Sequence, residues 1–211
     1  MKIDHDAYKY IFDYGKRPTG TEVSIHFEDT FRIDKAKEQA KLTPARIEDI
    51  IKYTNEFLII LGMKSIADPV LHYPNAKLAH PDFYNQIMKD NNLKDIRDIV
   101  WMKFTKDGFL GVVAVSNDIN FDIPSFYHQY NYELKGQHNW WIYNTSGIII
   151  HMLGKVWDEQ FVLVFPLSDI PECIKQGDTE HRIGRGHVEC GIGNYLIEKK
   201  VPILDFFSHR F

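Results

Sequence analysis

A chain of 211 residues with 44% apolar and 26% charged positions can bury a substantial core, which excludes disorder and coiled coil. A formal charge of −4 at pH 7 excludes a global electrostatic footprint for nucleic acid, though not a local basic patch. Two cysteines, Cys173 and Cys190, exclude a secreted disulfide scaffold and cannot hold zinc alone.

The aromatic content is the departure from ordinary composition. Fourteen Phe, eleven Tyr and four Trp imply a large aromatic core, an aromatic-lined pocket or an interface. Met1 to Asp6 is acidic and has no apolar centre, so it does not read as a signal peptide. Every apolar run falls far short of the roughly 20 residues that span a bilayer. The expectation is a cytoplasmic protein with no membrane partner and reduced cysteines.

Residues 5–14 carry Ala7, Tyr8, Ile11, Phe12 and Tyr14 at helical spacing. Thr21 to Phe27 alternates and resumes at Phe31 and Ile33, which predicts a hairpin with one polar side. Thr43-Pro44 predicts a helix start, with Thr as cap and Pro in the first turn. That helix should run through Ile47, Ile50, Ile51, Phe57, Leu58 and Leu61 to a stop at Gly62. Residues 63–80, with Pro69 and Pro74, read as a surface loop, and a short helix follows His80-Pro81 to about Lys89.

From residue 96 the pattern turns to strands. Ile99 to Phe104 and Phe109 to Val115 flank the turn signal Lys106-Asp107-Gly108. Gly147 to Met152 and Val156 to Phe165 predict a second hairpin around Gly154-Lys155. Phe161 to Phe165 and Ile203 to Phe207 lack polar alternation, so both are expected near the interior of one sheet. Between them lies a helix-length segment through Lys199. The whole predicts a single α+β domain over 1–211, with a mixed, mostly antiparallel sheet, N-terminal helices and a C-terminal strand-helix-strand unit.

The last fifty residues concentrate the polar chemistry. The loop His181-Arg182-Ile183-Gly184-Arg185-Gly186-His187 holds two of the chain's seven arginines. Gly184 and Gly186 let the backbone approach a ligand, and a helix start offers N–H groups to an anion. Arg182 and Arg185 can add bidentate contacts to phosphate or carboxylate. If the flanking strands are parallel neighbours, Asp205 and His209 join this loop at one sheet edge. His187 and His209 are then the acid/base candidates. The glycines Gly191 and Gly193 further along are costly in a helix, and close packing is the simplest reason for them.

Other patterns are shorter. Arg182 and His187 match the Arg-x4-His spacing of helical ribonucleases of the HEPN class, but the strand-rich flanks contradict an all-helical fold. His187-Val188-Glu189 resembles the His-x-Glu of zinc deaminases, whose Pro-Cys-x-x-Cys partner is missing here. Glu133-Leu134-Lys135 resembles the Glu-x-Lys half of the PD-(D/E)xK nuclease motif. That resemblance implies Glu133 holding Mg²⁺ and Lys135 orienting water, with Asp107 or Asp122 as the upstream carboxylate. No histidine spacing supports a structural metal.

Residues 121–143 interleave Phe121, Phe126, Tyr127, Tyr130, Tyr132, Trp140, Trp141 and Tyr143 with polar side chains, a surface fit for stacking bases or anchoring a protein. If Trp140 and Trp141 lie on a strand they face opposite ways, so one of them is expected at the surface. The resulting expectation is a protein that binds a phosphate-bearing ligand, nucleotide or nucleic acid, in the manner of a phosphodiesterase or nuclease. The alternative is a non-catalytic module that binds a protein partner or a second copy through the aromatic segment.

Overall fold

The computed structural model describes residues 5–13, 30–72, 81–116, 145–158 and 160–205. Helix α1 (His5–Tyr8) runs straight into a π-helical turn, Lys9–Asp13, as the helical spacing of Ala7, Tyr8 and Ile11 predicts. Helix α2 (Thr30–Gln39) follows, so Phe31 and Ile33 are helical rather than part of a strand. The reason is a contact made every three to four residues. Ala36 packs on Ile149, while Lys35–Glu38 and Lys37–Asp34 pair one turn apart on the outside. The alternating stretch before it, Thr21 to Phe27, lies outside the described residues.

Helix α3 (Ile47–Ile60) buries Ile50, Thr54, Phe57 and Leu58 on one face. It starts later than Thr43-Pro44 suggests, because Arg46 is the extended cap residue. The Arg46 carbonyl accepts the first helical N–H groups, from Asp49 and Ile50, both at 3.1 Å. Pro44 instead packs beside the turn at Gly108. At its other end α3 stops as expected. Gly62 sits at φ 80°, its N–H donates to the Ile59 carbonyl at 2.9 Å, and the Met63 N–H donates to Leu58 at 2.8 Å, which is a Schellman motif.

The main sheet is antiparallel throughout, in the order β1 (Val70–His72), β4 (Phe161–Pro166), β2 (Ile99–Phe104), β3 (Leu110–Ser116). Helix α4 (Pro81–Asp90) precedes β2, and β1 shortens the surface loop expected over 63–80. All six residues of β2 are buried. Alternate side chains point to opposite faces, so both faces of this strand are covered. Even Lys103 is buried, with its ammonium 4.8 Å from the centre of the Trp157 ring.

Two expectations give way here. Gly147 to Met152 is not a strand but part of helix α5 (Thr145–Met152). A short apolar run such as Ile148-Ile149-Ile150 fits either structure, and tertiary contacts decide it. Gly154, at φ 65°, ends that helix, with the Lys155 N–H donating to Ile150 at 2.9 Å, so it is not a hairpin turn. The second correction concerns the C-terminal strand. Ile203 makes one parallel bridge, to Leu110 of β3, whereas β4 lies between β1 and β2. The segment Val201–Asp205 is buried as expected, and it runs in the same direction as β4, but the two are not neighbours. Phe206 and Phe207 lie outside the described residues.

A small hairpin, β5 (Cys173–Gln176) and β6 (Thr179–Arg182), leads into helix α6 (Arg185–Glu198). No disulfide joins Cys173 and Cys190. Helix α6 packs on α3, on the π turn and on β3, and Gly191 makes that approach possible. A Cβ at 191 would overlap the Phe57 ring and come within 3.1 Å of Ile11 Cγ1. Around this point Tyr10 meets Phe57 and Tyr195 edge to face, and Phe57 and Tyr195 are tilted against each other, with centroids 4.9–6.0 Å apart. The helix ends in another Schellman motif: the Val201 N–H donates to Leu196 at 2.9 Å, with Lys200 at φ 64°.

Two stability measurements check this packing. Gly191→Ala should lower stability by a net of up to about 2 kcal/mol, because overpacking costs about 1–3 kcal/mol and helix propensity returns about 1. A urea midpoint equal to or above wild type would show that the Phe57 ring has room to move. Lys200→Gly should act in the opposite direction. A left-handed residue with a Cβ is strained by roughly 1 kcal/mol, so Tm should rise by about 2–4 °C. A fall in Tm would mean that the Lys200 side chain contributes more than its backbone strain costs.

Candidate functional site

The loop with the two arginines is positioned by three elements. Strand β6 ends at Arg182, which is exposed and lies opposite Cys173 in the hairpin register. The Ile183 N–H donates to the Glu172 carbonyl at 3.0 Å and fixes the turn out of the hairpin. Gly184, extended at φ −149°, is the cap residue of α6. The hairpin itself went unread in the sequence, although Gly177-Asp178 between two short runs is a turn signal.

Helix α6 opens with a reciprocal cap. The Gly184 N–H donates to Nδ1 of His187 at 3.2 Å, while the His187 N–H donates to the Gly184 carbonyl at 2.9 Å. Histidine thus takes the place that Glu or Gln usually fills in a capping box. Accepting through Nδ1 fixes the neutral tautomer, with its proton on Nε2. Burial holds the imidazole pKa below its ordinary value, because the charged form loses hydration.

Arg185 reaches out of the first turn and pairs with Asp98 at 2.8 Å, both side chains about two-fifths exposed. Asp98 directly precedes β2, and its carbonyl accepts the Leu167 N–H at 2.8 Å just past β4. The start of α6 is therefore tethered at the edge where β2 begins and β4 ends. Above it lies the N-terminal segment. The Phe12 ring is 5.4 Å from His187 and 5.2 Å from His181, and Tyr8 is 5.1 Å from His181.

Asp205 is elsewhere. Its N–H donates to the Gly111 carbonyl at 2.9 Å, next to Leu110, which pairs with the last residue of β2. The length of β2, about 17 Å at roughly 3.4 Å per residue, separates it from Asp98 and Arg185. The structure thus gathers Arg182, Gly184, Arg185, Gly186 and His187 at one edge and leaves Asp205 at the other. This follows from the sheet order, since the segment holding Asp205 joins β3 rather than β4. The Asp205 carboxylate is buried and accepts from the Ser146 hydroxyl at 2.5 Å. Asp107 pairs with Lys155 and accepts from Thr105 Oγ1 at 2.6 Å, and these bonds lower its pKa against the opposing effect of burial.

His209, Glu133, Lys135 and Asp122 lie outside the described residues, as does the aromatic segment 121–143 with Trp140 and Trp141. Among the described residues no group of three or more His, Cys, Asp or Glu side chains could hold a metal ion, and no helix is long and apolar enough to cross a membrane. Sequence reading missed Asp98 and Phe12 as neighbours of the loop. No local pattern ties them to it, because each arrives from a distant part of the chain.

Ser146→Ala should destabilise the protein by about 1–3 kcal/mol, the cost of leaving a buried acceptor short of a donor. Denaturant unfolding measures this. A change below about 0.5 kcal/mol would show that the other surroundings of Asp205 already satisfy its carboxylate.

Comparison of the chain with protein-family models, with curated proteins and with solved structures finds no match in any of the three.

Proposed function

We propose that the chain binds a phosphate-bearing ligand, a nucleotide or nucleic acid, at the start of α6. One observation carries this reading: two exposed arginines, Arg182 and Arg185, flank Gly184, the cap residue of a 14-residue helix. A glycine cap leaves room at the first turn, and the helix dipole favours negative charge there. Guanidinium groups add charge-assisted, bidentate hydrogen bonds to phosphate.

Asp98 is the competitor. It holds Arg185 in an exposed pair, and such pairs contribute about 0–1 kcal/mol. A hydrogen bond from Arg185 to phosphate contributes roughly 1.5–3 kcal/mol, so a ligand can draw the guanidinium away from Asp98. The reading is one of binding rather than catalysis. His187 already uses Nδ1 to cap the helix, which leaves only Nε2 for proton transfer. A nuclease step with Mg²⁺ would draw on Glu133, Lys135 and His209, which have no described position.

Calorimetric titration with ATP and with a short single-stranded oligonucleotide at low salt tests the proposal. Wild type should bind at least one of them, and added salt should weaken binding. Arg185→Ala and Arg182→Ala should each lower affinity by about 10- to 100-fold. Equal binding by the double variant would place the ligand elsewhere, and no binding to wild type would end this reading.

A further inference from the structure

We propose that His187 is a proton-operated latch: in its neutral form it closes the cap of α6 beside the Phe12 ring, and protonation opens that cap. The inference rests on the cap geometry and holds whether or not phosphate binds at the same edge.

The bond at stake is directional. Gly184 N–H donates to Nδ1 of His187 at 3.2 Å, which requires a lone pair on that nitrogen. Protonation puts a hydrogen there, so donor then faces donor and the bond is lost. The new positive charge also sits in the first turn of α6, where the helix dipole opposes it. The half-buried ring loses hydration as well. All three effects act in the same direction. The imidazolium thus loses the Gly184 bond beside the Phe12 ring packed 5.4 Å from it.

Among the described residues, these charged and titratable groups face it. From β6, His181 approaches the same Phe12 ring at 5.2 Å. On the strand side Asp98 is held by Arg185 at 2.8 Å. From the N-terminal segment, Lys9 and Tyr10 both engage Glu198, about three turns further along α6. From α3, Glu56 engages Tyr195 and Lys199 at that same far end. Glu189 is buried two residues beyond His187 on α6 itself.

The direction with pH follows. His187 has a lower pKa in the folded chain than its ordinary value of 6.5, so below that value the unfolded chain binds the proton more readily. Its contribution to stability is complete above about pH 6.5, falls as pH drops toward the folded pKa, and is constant below that.

Amide exchange and NMR of the full chain between pH 7.5 and 5 test the latch. The Gly184 protection factor, corrected for intrinsic exchange, should fall about tenfold for each unit by which the folded pKa lies below the unfolded one. The nitrogen shifts of His187 should report an unprotonated Nδ1 at pH 7.5, and the Phe12 ring signals should move with the same midpoint. His187→Gln supplies a non-titrating acceptor in the capping box, so its Gly184 protection should stay level across the range. His181→Gln should keep the wild-type transition. A level Gly184 protection factor in wild type, or an equal fall in His187→Gln, would overturn the proposal. If that variant fails to fold, a protonated Nδ1 at pH 7.5 in wild type overturns it on its own.

Discussion

Helix α6 can lie against α3 only because residue 191 has no side chain. The Phe57 ring occupies the space a Cβ would need, with Ile11 closing in from the N-terminal segment. This close approach aligns α6 along the sheet and sets both of its ends. Its start meets Asp98 where β2 begins, and its stop at Lys200 delivers Val201–Asp205 to the free side of β3. A larger residue at 191 would displace the candidate site and the buried C-terminal segment together.

The same packing explains why the N-terminal segment belongs to the site. Ala7, Tyr10 and Ile11 are buried, and the Tyr10 carbonyl accepts at 2.5 Å from the side chain of Asn194, the residue after Gly193 on α6. The segment is thereby held along α6, and Phe12 and Tyr8 come to rest on His187 and His181. The polar loop is half covered by aromatic rings, and burial there favours the neutral form of His187. The two arginines remain outside that cover, in solvent.

Local chemistry made several features legible in the sequence. Gly62 as a helix stop, the turn at Gly108 and the Pro81 helix start each depend on backbone preferences that act within four or five residues. Phe161 to Phe165 read as interior because five consecutive apolar residues leave no solvent face, and the strand is flanked on both sides. Phe31, Ile33 and Ile148 to Ile150 misled for the converse reason. Short apolar runs suit helix or strand equally, and in the fold Ala36 on α2 packs on Ile149 of α5.

For the candidate site, the sequence by itself determined the cluster Arg182, Gly184, Arg185, Gly186 and His187, and the helix that begins there, because contiguous residues stay together in any fold. It also determined the α+β class and the antiparallel bias, through strand periodicity and turn residues. Only the tertiary structure decided that Asp205 pairs with Ser146 and lies a strand's length from Arg185, and that Asp98 and Phe12 reach the loop instead. Those contacts join residues as many as 175 positions apart. They are settled by strand order and by how closely α6 can approach α3, and neither leaves a mark in the local pattern.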